Sequence, residues 1–317
     1  MNIAVIGVGQ LGSRHLQGLS KLPQDCTLHI VDPSESSIAE AHKRIKEVKC
    51  AKSKKVFSHY TPETLPSSIE LAVVATTADT RLAAMKSLFC SSSVRFLILE
   101  KVLFQNPLDF AEAKNLLDTK SINCWVNCPR RVYSDYSSLR EFFGSEHLTF
   151  MNVNGGDWGL GCNAIHFLDL LALFSGQSEF KFDTSSLDRE TRDGKREGFI
   201  EISGTLRGDC SGISFALRSA WGGKGRHIIS LYSDTKVAVI DEIGSKVWRI
   251  NEDTSECTDF NVPFQSNLTT SLVNSILTDG TCDLPTYDES LLVHMPFLKA
   301  LSTHLGSGVS NGSVPIT

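Results

Sequence analysis

The chain of 317 residues lacks long hydrophobic runs. None approaches the roughly 20 consecutive apolar residues that a membrane-spanning helix requires. The first residues, Asn2 to Ile6, lead directly into a strand pattern and carry neither a charged leader nor a cleavage site. These absences predict a cytoplasmic protein without a membrane partner.

Paired cysteine motifs are also absent. The nine cysteines are scattered from Cys26 to Cys282 without a Cys-x-x-Cys pair. Cys124 and Cys128 have no second pair of ligands near them in the sequence, and a disulfide framework is untypical of a chain this long. We therefore expect reduced thiols and no metal site.

An excess of basic residues is the third absence. The formal net charge is -5 at pH 7, whereas a nucleic-acid-binding protein would present a basic face. One basic cluster occurs, and because it includes Glu47 at the end of a predicted helix we interpret it as a solvated face. Its members are Lys43, Arg44, Lys46, Lys49, Lys52, Lys54 and Lys55. We expect no nucleic-acid partner.

Length and hydrophobic patterning predict two domains. A chain of 317 residues exceeds the usual span of one core. Strands first alternate with helices, which indicates an open, doubly wound parallel sheet. After about residue 145, short strands follow one another directly, as in an antiparallel sheet. We predict an α/β domain over residues 1–125 and an α+β domain over residues 126–317, with one interrupting helix near Asn163 to Phe174 and a last helix from about Glu289 to Leu305.

A glycine motif opens the first domain. Gly7-Val8-Gly9-Gln10-Leu11-Gly12 follows a strand and precedes a helix, and Asp32 ends the next strand 20 residues beyond Gly12. This is the context of the dinucleotide-binding fingerprint of the Rossmann fold, although a purely structural turn is the alternative. Gly7 permits the tight turn, Gly9 lets the backbone approach a pyrophosphate, and Gly12 lets the helix pack on the sheet. Unpaired N–H groups at the helix N-terminus favour the phosphates, so Gln10 and Leu11 are included among the cofactor-binding residues.

Asp32 also indicates which dinucleotide binds. Its carboxylate would accept hydrogen bonds from both ribose hydroxyls and would repel the 2′-phosphate of NADP. No arginine follows it, since the next residues are Pro33 and Ser34. NAD is therefore predicted rather than NADP, although one basic side chain from elsewhere in the fold would reverse the preference.

A second apolar run ends in Glu100-Lys101. A Rossmann strand that ends in Glu-Lys and precedes an antiparallel domain resembles the Gfo/Idh/MocA oxidoreductases, the group of glucose-fructose oxidoreductase and inositol dehydrogenase. Further stretches agree with this family in order and spacing along most of the chain. They are Ala75-Thr76-Thr77, Asn127 with Arg130 and Arg131, the helix Gly161 to Gly176 with its His-x-x-Asp, and Cys282 to Thr286 before a helix with His294.

The resemblance implies catalysis by Lys101 and His166. Lys101 would stand at the carboxyl end of a parallel strand, where ligands bind, and its ammonium would bind the reacting hydroxyl. His166 would exchange the proton that alcohol oxidation releases. The alternatives are a solvent-exposed ion pair for Glu100 and Lys101 and a core position for His166.

The same resemblance implies the remaining site residues. Thr76, Glu100 and Lys101 would lie beside the cofactor, and Glu100 would pair with Lys101 or orient it. Asp169 would orient the His166 ring or tie down its helix. The predicted substrate-binding residues are Lys101, Arg130, Cys162, Asn163 and His166.

Two positions depart from the family pattern. Val102 stands where the family usually has a proline after Glu-Lys. Cys162 stands four residues before His166, where the family often has an aspartate. The neighbouring Asn163 can hold a sugar hydroxyl but cannot take a proton. Because nothing near Cys162 in the sequence would stabilise a thiolate, we do not expect a nucleophile there.

A glycine-rich stretch with two cations, Trp221 to Arg226, separates two predicted strands. It is interpreted as a hairpin connection or as a mobile loop. In the second case Lys224 and Arg226 would meet a phosphate or an acidic group of the substrate.

These observations predict a cytoplasmic NAD-dependent oxidoreductase of carbohydrate metabolism. Hydride would pass between the nicotinamide and a hydroxyl- or keto-bearing carbon of a carbohydrate or sugar nucleotide. The exposed face of the antiparallel sheet would form a homodimer or homotetramer, as in the resembled family. Two alternatives stay open: a non-catalytic NAD- or sugar-binding regulatory protein of the same fold, and a reductase of an imine or unsaturated ring.

Overall fold

The computed structural model describes residues 1–48, 54–306 and 312–317. Lys49 and Lys52 of the basic cluster, and Cys50, which is one of the nine cysteines, lie outside the described residues. Contacts divide the chain into two compact units. The first comprises Met1–Phe104, Leu108–Asn127 and Pro263–Tyr287, and the second comprises Gln105–Pro107, Cys128–Val262 and Asp288–Thr317.

The first unit contains a six-stranded sheet in the order β3-β2-β1-β4-β5-β6. All five strand pairs are parallel, which confirms the doubly wound sheet. The strands are β1 (Asn2–Ile6), β2 (Thr27–Val31), β3 (Lys55–His59), β4 (Ser68–Val74), β5 (Ser93–Leu99) and β6 (Asn123–Val126). The intervening helices are α1 (Gly12–Leu19), α2 (Glu35–Lys46), α3 (Arg81–Ser91) and α4 (Pro107–Thr119).

The sequence of the central strands explains this sheet. The last four residues of β1, β4 and β5 are apolar and buried without alternation. Such runs are typical of parallel strands that are covered on both faces. The crossover helices supply that cover, so the core of this unit lies on either side of the sheet.

One helix of the first unit comes from much later in the chain. Helix α7 (Gln265–Asp279) belongs to Pro263–Tyr287, whereas the predicted boundary placed everything after residue 125 in the second domain. A Cβ at Gly18 of α1 would lie 2.5 Å from the carbonyl oxygen of Ser266, and Thr270 Oγ1 donates to Gly18 O at 2.8 Å. The two helices therefore approach so closely that only glycine fits at position 18.

The second unit contains an eight-stranded sheet in the order β16-β15-β14-β13-β7-β12-β11-β8 and a two-stranded sheet of β9 and β10. All pairs are antiparallel except β7 with β12, which confirms the predicted, mostly antiparallel sheet. The strands are β7 (Phe150–Gly155), β8 (Phe180–Leu187), β9 (Arg192–Asp193), β10 (Ile200–Glu201), β11 (Gly204–Cys210), β12 (Ile213–Ser219), β13 (Ile228–Tyr232), β14 (Val237–Asp241), β15 (Lys246–Ile250) and β16 (Ser255–Asp259).

Three helices accompany the larger sheet. Helix α6 (Leu160–Ser175) is the predicted interrupting helix, and α8 (Tyr287–Leu305) is the predicted last helix. Helix α5 (Ser134–Phe143) was not predicted. Aromatic rings pack together in the core of this unit. Phe215, for example, packs edge-to-face on Phe180 and Phe182. Within the described ranges, no helix is both long and apolar enough to cross a membrane.

Candidate functional site

The predicted cofactor-binding residues all follow strand ends that are aligned across the first sheet. Ile6 is in register with Val31 and with Val74, and Val74 is in register with Leu99. Because the strands are parallel, the segments after these residues emerge at the same edge. That edge is the place where open parallel sheets bind ligands. The predicted residues found there are Gly7, Gly9, Gln10, Leu11, Gly12, Asp32, Thr76, Glu100 and Lys101.

At two positions of the glycine-rich loop, Gly7 and Gly12, no residue other than glycine fits without strain. Gly7 has a φ of +83°, which L side chains rarely adopt. A Cβ at Gly12 would lie 1.8 Å from the carbonyl oxygen of Gly7. At Gly9, by contrast, a Cβ would meet nothing within 4 Å. The backbone at Gly9 thus faces open space, which fits a loop that receives the pyrophosphate of a dinucleotide.

Asp32 links the ends of the first two strands. Its Oδ2 accepts a hydrogen bond from the Val8 N–H at 2.9 Å, and its Oδ1 accepts one from the Ser34 N–H at 2.9 Å. The carboxylate therefore holds the glycine-rich loop in place. Because each carboxylate oxygen can accept more than one hydrogen bond, capacity remains for ribose hydroxyls.

Arg44 of the basic cluster contacts the same loop, so its prediction as part of a solvated face is wrong. Its side chain is only 10% exposed, whereas that of Lys43 is 74% exposed. The guanidinium donates to Gln10 O at 3.0 Å, Gln10 Oε1 at 2.6 Å and Ser13 Oγ at 2.6 Å. The sequence did indicate that Arg44 is buried, because Ile38, Ala41 and Arg44 are spaced three residues apart and therefore lie on one face of the helix.

Arg81 plays a comparable role beside Thr76 and was also missed. This arginine of α3 is 1% exposed. It donates to the carbonyl oxygens of Thr76, Val102 and Leu103, the last at 2.7 Å. One buried cation thereby fixes the segment after β4 and the segment that follows Lys101. The Lys101–Val102 peptide bond is cis.

Glu100 is held by two side chains from distant parts of the chain. Its Oε1 lies 2.7 Å from His15 Nε2 and accepts from Asn127 Nδ2 at 2.6 Å. Glu100 is 3% exposed and His15 is 1% exposed. Lys101, the next residue, is half-buried. The carboxylate of Glu100 therefore lies in a buried hydrogen-bond network at the strand end that carries Lys101.

The predicted residues Cys162, Asn163 and His166 lie on the first turns of α6, in the second unit. Gly159 precedes this helix in the left-handed conformation, with a φ of +78°. Glu201 Oε1 accepts from the Gly161 N–H at 2.6 Å, and Asn163 Nδ2 donates to Trp158 O at 2.8 Å. Burial raises the pKa of Glu201 above its ordinary value. A carboxyl group thus caps the helix that carries His166, next to the position of the absent aspartate.

Cys162 contacts the last described segment of the chain. Its Sγ donates to Thr317 O at 2.6 Å, and Ile316 packs near Gly161. Ile316 is fully buried. Residues 312–317 therefore lie against the N-terminal turn of α6 within the second unit.

Asp169 ties α6 to the segment before α5. Arg131 donates to both carboxylate oxygens of Asp169, at 3.0 Å and 2.6 Å. Burial raises the pKa of Asp169 to about 6, while these hydrogen bonds act in the opposite direction. Two roles were predicted for Asp169: to orient the His166 ring or to tie down its helix. The contact with Arg131 corresponds to the second role. His166, three residues earlier, is half-buried.

Arg130, predicted to bind substrate, lies in a buried cluster of the second unit. It donates from Nε and Nη2 to the two oxygens of Glu242, at 2.8 Å and 2.7 Å. Its guanidinium also lies 4.4 Å from the ring centroid of Phe167, and Tyr136 donates to Glu242 Oε1 at 2.7 Å. This guanidinium therefore already has a carboxylate partner within its own unit.

The glycine-rich loop Trp221–Arg226 lies against the segment that leads into α6. The N–H groups of Gly156 and Asp157 donate to the carbonyl oxygens of Gly225 and Gly223, at 2.9 Å and 2.8 Å. Arg226 pairs with Asp241 at 2.9 Å. Lys224 is exposed, and among the described residues it has no hydrogen-bond or ion-pair partner. Of the two predicted cations, Lys224 is thus the one available to a ligand.

Comparisons with known proteins identify the architecture. No family model matches the chain and no curated protein matches its sequence significantly, but many solved structures are similar. UDP-N-acetylglucosamine 3-dehydrogenase GnnA from Acidithiobacillus ferrooxidans has a TM-score of 0.73 at 14% identity, covering 95% of this chain and 96% of that chain. An oxidoreductase from Agrobacterium radiobacter, solved with NAD+, L-tartaric acid and magnesium, has a TM-score of 0.75 at 11% identity, covering 98% and 97%.

A repressor shares the architecture as well. A super-repressor mutant of Gal80p from Saccharomyces cerevisiae has a TM-score of 0.74 at 10% identity, covering 96% of both chains. At such identities, the likeness shows the fold alone. The chain has the fold of the Gfo/Idh/MocA-type oxidoreductases, as the sequence motifs implied.

Proposed function

We propose that the protein is an NAD-dependent oxidoreductase that transfers a hydride between the nicotinamide and a CH–OH or keto carbon of a carbohydrate, in particular a sugar nucleotide. The observation that carries the proposal is the alignment of three functional segments at one edge of the first sheet. These segments are the glycine-rich loop, Asp32, and Glu100 with Lys101. Similar solved structures support it, since one is a sugar-nucleotide dehydrogenase and another was solved with NAD+.

The residues of the first unit fit a dinucleotide. The open space at Gly9 would admit the pyrophosphate, and the N-terminus of α1 would favour its charge. When bound, the nicotinamide supplies the hydride acceptor or donor. Asp32 favours NAD, because its carboxylate would repel the 2′-phosphate of NADP, and the basic side chain of Arg44 that contacts the loop has other partners. Arg44 already donates to Gln10, Ser13 and Glu40.

Lys101 and His166 are the proposed catalytic residues. The Lys101 ammonium would donate to the reacting oxygen and stabilise negative charge that develops there during hydride transfer. His166 would take the proton in oxidation and return it in reduction, because an imidazole exchanges protons near neutral pH. Asn163 would hold a hydroxyl of the sugar. Simple alcohol oxidation needs no covalent intermediate, so Cys162 has no nucleophilic role.

The loop Trp221–Arg226 supports a phosphate-bearing substrate. Lys224 is exposed, and Trp221 is 50% exposed with the guanidinium carbon of Arg192 5.5 Å from its ring centroid. An aromatic ring and a cation without a partner in the described structure are the groups that would bind a base and a phosphate. We therefore favour a nucleoside diphosphate sugar over a free sugar.

A turnover assay tests the proposed function. The purified protein is incubated with NAD+ and a panel of free sugars and UDP- and dTDP-linked sugars, and the absorbance of NADH is followed. The reverse direction uses NADH with the corresponding keto compounds. We expect turnover with at least one nucleotide-linked member. Binding of NAD by calorimetry without turnover of any member in either direction would contradict the enzymatic proposal.

A regulatory role is the second candidate, and two observations favour it. The position four residues before His166 holds Cys162, whose thiol donates a hydrogen bond to Thr317 O, and the fold is similar to that of a repressor. Under this alternative NAD or a sugar would bind without chemical change. Ligand-dependent binding of a partner protein, with no consumption of the ligand, would then be observed instead. The cytoplasmic location and the homo-oligomeric state stay predictions from the sequence.

A further inference from the structure

The two-stranded sheet of β9 and β10 places Glu201 directly opposite Arg192. The two residues are register partners, and opposite charges at such positions attract each other across the strands. The Arg192 guanidinium nevertheless donates to both carboxylate oxygens of Asp157. Within the described ranges, no hydrogen bond or ion pair joins Arg192 to Glu201. Glu201 is therefore a carboxyl group whose neighbouring cation is engaged by another residue.

The Glu201 side chain turns to the first turn of α6. Its Oε1 accepts from the N–H groups of Gly161, at 2.6 Å, and Ile202, at 2.9 Å. Its Oε2 has no hydrogen-bond or ion-pair partner among the residues that the structure describes, and the residue is half-buried. Each carboxylate oxygen can accept more than one hydrogen bond. One oxygen is thus fixed by the backbone, and the other keeps its full capacity to accept.

Glu201 Oε2 lies beside Asn163, one of the predicted substrate-binding residues. A Cβ at Gly159 would be 3.0 Å from Glu201 Oε2 and 3.2 Å from Asn163 Nδ2, so both atoms border the same space. Asn163 Nδ2 donates to Trp158 O, whereas Asn163 Oδ1 has no hydrogen-bond partner in the described part of the chain. Asn163 and His166 are three residues apart and therefore share a helix face. Two side-chain acceptors, the Glu201 carboxylate and the Asn163 amide, are thus placed at the start of the helix that carries His166.

Two acceptors suit a ligand that donates hydrogen bonds. The hydroxyl groups of a sugar ring can donate to them, because each hydroxyl carries one proton for donation. A hydrogen bond to a charged acceptor is roughly twice as strong as one between neutral groups. A phosphate, by contrast, would be repelled by the carboxylate. The chemistry at Glu201 therefore favours the sugar portion of a substrate over its phosphates.

We propose that Glu201 is a substrate-binding and specificity-determining residue, whose Oε2 accepts a hydrogen bond from a sugar hydroxyl beside Asn163. This inference rests on the proposed function and deepens it. Glu201 lies outside all the motifs that the sequence indicated, since β10 brings it to α6 only in the folded chain.

Three variants test the proposal: Glu201→Gln, Glu201→Ala and the control Asp183→Asn. Glutamine keeps an oxygen for the Gly161 and Ile202 N–H groups but replaces the acceptor Oε2 with a donor. Asp183 of β8 is exposed and also accepts a backbone N–H, from Ser185 at 2.9 Å. We expect Glu201→Gln to raise KM for the best sugar nucleotide roughly 10- to 100-fold, the scale of a hydrogen bond to a charged group. The affinity for NAD and the thermal midpoint should not change, and Asp183→Asn should leave KM unchanged.

Glu201→Ala separates substrate binding from support of the helix. It removes the acceptor for the Gly161 N–H as well, so it should lower the thermal midpoint in addition to raising KM. If Glu201→Ala is impaired while Glu201→Gln keeps the KM of the unmodified protein, Glu201 only caps α6 and the inference is wrong.

A second readout does not depend on turnover. Carboxyl groups of the protein with NAD are amidated with a carbodiimide and glycine ethyl ester and quantified by mass spectrometry, alone and with UDP-glucose, UDP-N-acetylglucosamine or dTDP-glucose. We expect at least one of these probes to reduce labelling of Glu201 several-fold and to leave that of Asp183 unchanged. If no probe is turned over, the proposed function fails, but selective protection of Glu201 still supports the inference. Absence of such protection with every probe, or equal protection of Asp183, would overturn it.

Discussion

Arg130 donates to both carboxylate oxygens of Glu242, at 2.8 Å and 2.7 Å. The two residues are 112 positions apart in the chain, and Tyr136 donates to the same carboxylate. Despite the opposing effect of burial, Arg130, His227 and Tyr136 lower the pKa of Glu242 to about 2. This cluster therefore contributes to the response of the second unit to acid.

We predict that Glu242→Gln destabilises the protein by about 3–5 kcal/mol near neutral pH, because it leaves the Arg130 guanidinium buried without its charge partner. The folded-state pKa of Glu242 lies below its ordinary value of 4.5. Its contribution is therefore complete above about pH 4.5 and is lost as the pH falls towards 2. Urea unfolding across this range should show a steeper loss for the unmodified protein than for the variant. Glu256→Gln, on the exposed strand β16, should change stability by no more than about 0.5 kcal/mol.

We predict a second dependence of stability on pH, near neutrality, from two histidines of the first sheet. Nδ1 of His29 lies 3.0 Å from Nε2 of His59, and burial lowers the pKa of both below 6.5. The folded state therefore favours the neutral rings, whereas the unfolded chain takes up protons as the pH falls below about 6.5. Stability should decrease from that pH downwards. Thermal melts of the variant with both histidines replaced by glutamine should lose this slope; an unchanged slope would refute the assignment.

We predict that Asp32→Asn shifts the cofactor preference towards NADP by at least about tenfold, because a like-charge contact with the 2′-phosphate costs several kcal/mol. Asparagine retains an oxygen that can accept from Val8 or Ser34, so the loop should stay folded. Asp32→Ala loses the hydrogen bonds from both the Val8 and the Ser34 N–H groups and should also weaken NAD binding. Titration of both cofactors by calorimetry measures these changes. Tighter binding of NADP than of NAD by the unmodified protein would contradict the prediction.

Lys101→Ala and His166→Ala should each reduce turnover by on the order of 10²-fold or more, the usual scale for a positioned acid or base. Cys162→Ser should reduce it much less, since the Cys162 thiol donates to Thr317 O in the structure and a serine hydroxyl can donate in the same way. Steady-state kinetics on the best substrate provide the measurement. Near-normal turnover of His166→Ala together with loss in Cys162→Ser would move the acid–base role to another residue.

Lys224→Ala should raise KM for a nucleotide-linked substrate by about tenfold, since a hydrogen bond to a charged group contributes about 1.5–3 kcal/mol. Arg226→Ala should have the smaller effect because Arg226 is paired with Asp241. The affinity for NAD should not change in either variant. If the variant with both cations replaced by alanine retains its KM, the loop is a plain connection between strands.

Local sequence patterns were sufficient to predict much of the fold of the first unit. The buried runs of β1, β4 and β5, the three glycines and Asp32 each carry a signal within a few residues. A parallel sheet then brings the strand ends to one edge without further information, which is why Asp32, Thr76 and Lys101 were assigned to the same edge.

Helix α7 shows where local patterns fail. Its sequence is rich in serine, threonine and asparagine, which have weak helix propensity. Leu268, Leu272 and Ile276 nevertheless recur every four residues, and this spacing would have indicated the helix. Its place against α1 could not have been inferred, because it depends on the close approach at Gly18.

By itself, therefore, the sequence determined the alternation of strands and helices, the glycine-rich loop with Asp32, and the candidates Lys101 and His166. Only the tertiary structure decided the partners of the buried charges: Glu100 with His15, Arg130 with Glu242, and Arg44 with the loop. The physical reason is that backbone conformation and burial follow short-range periodicity. The neutralisation of a buried charge instead requires a partner that folding brings from a distant part of the chain.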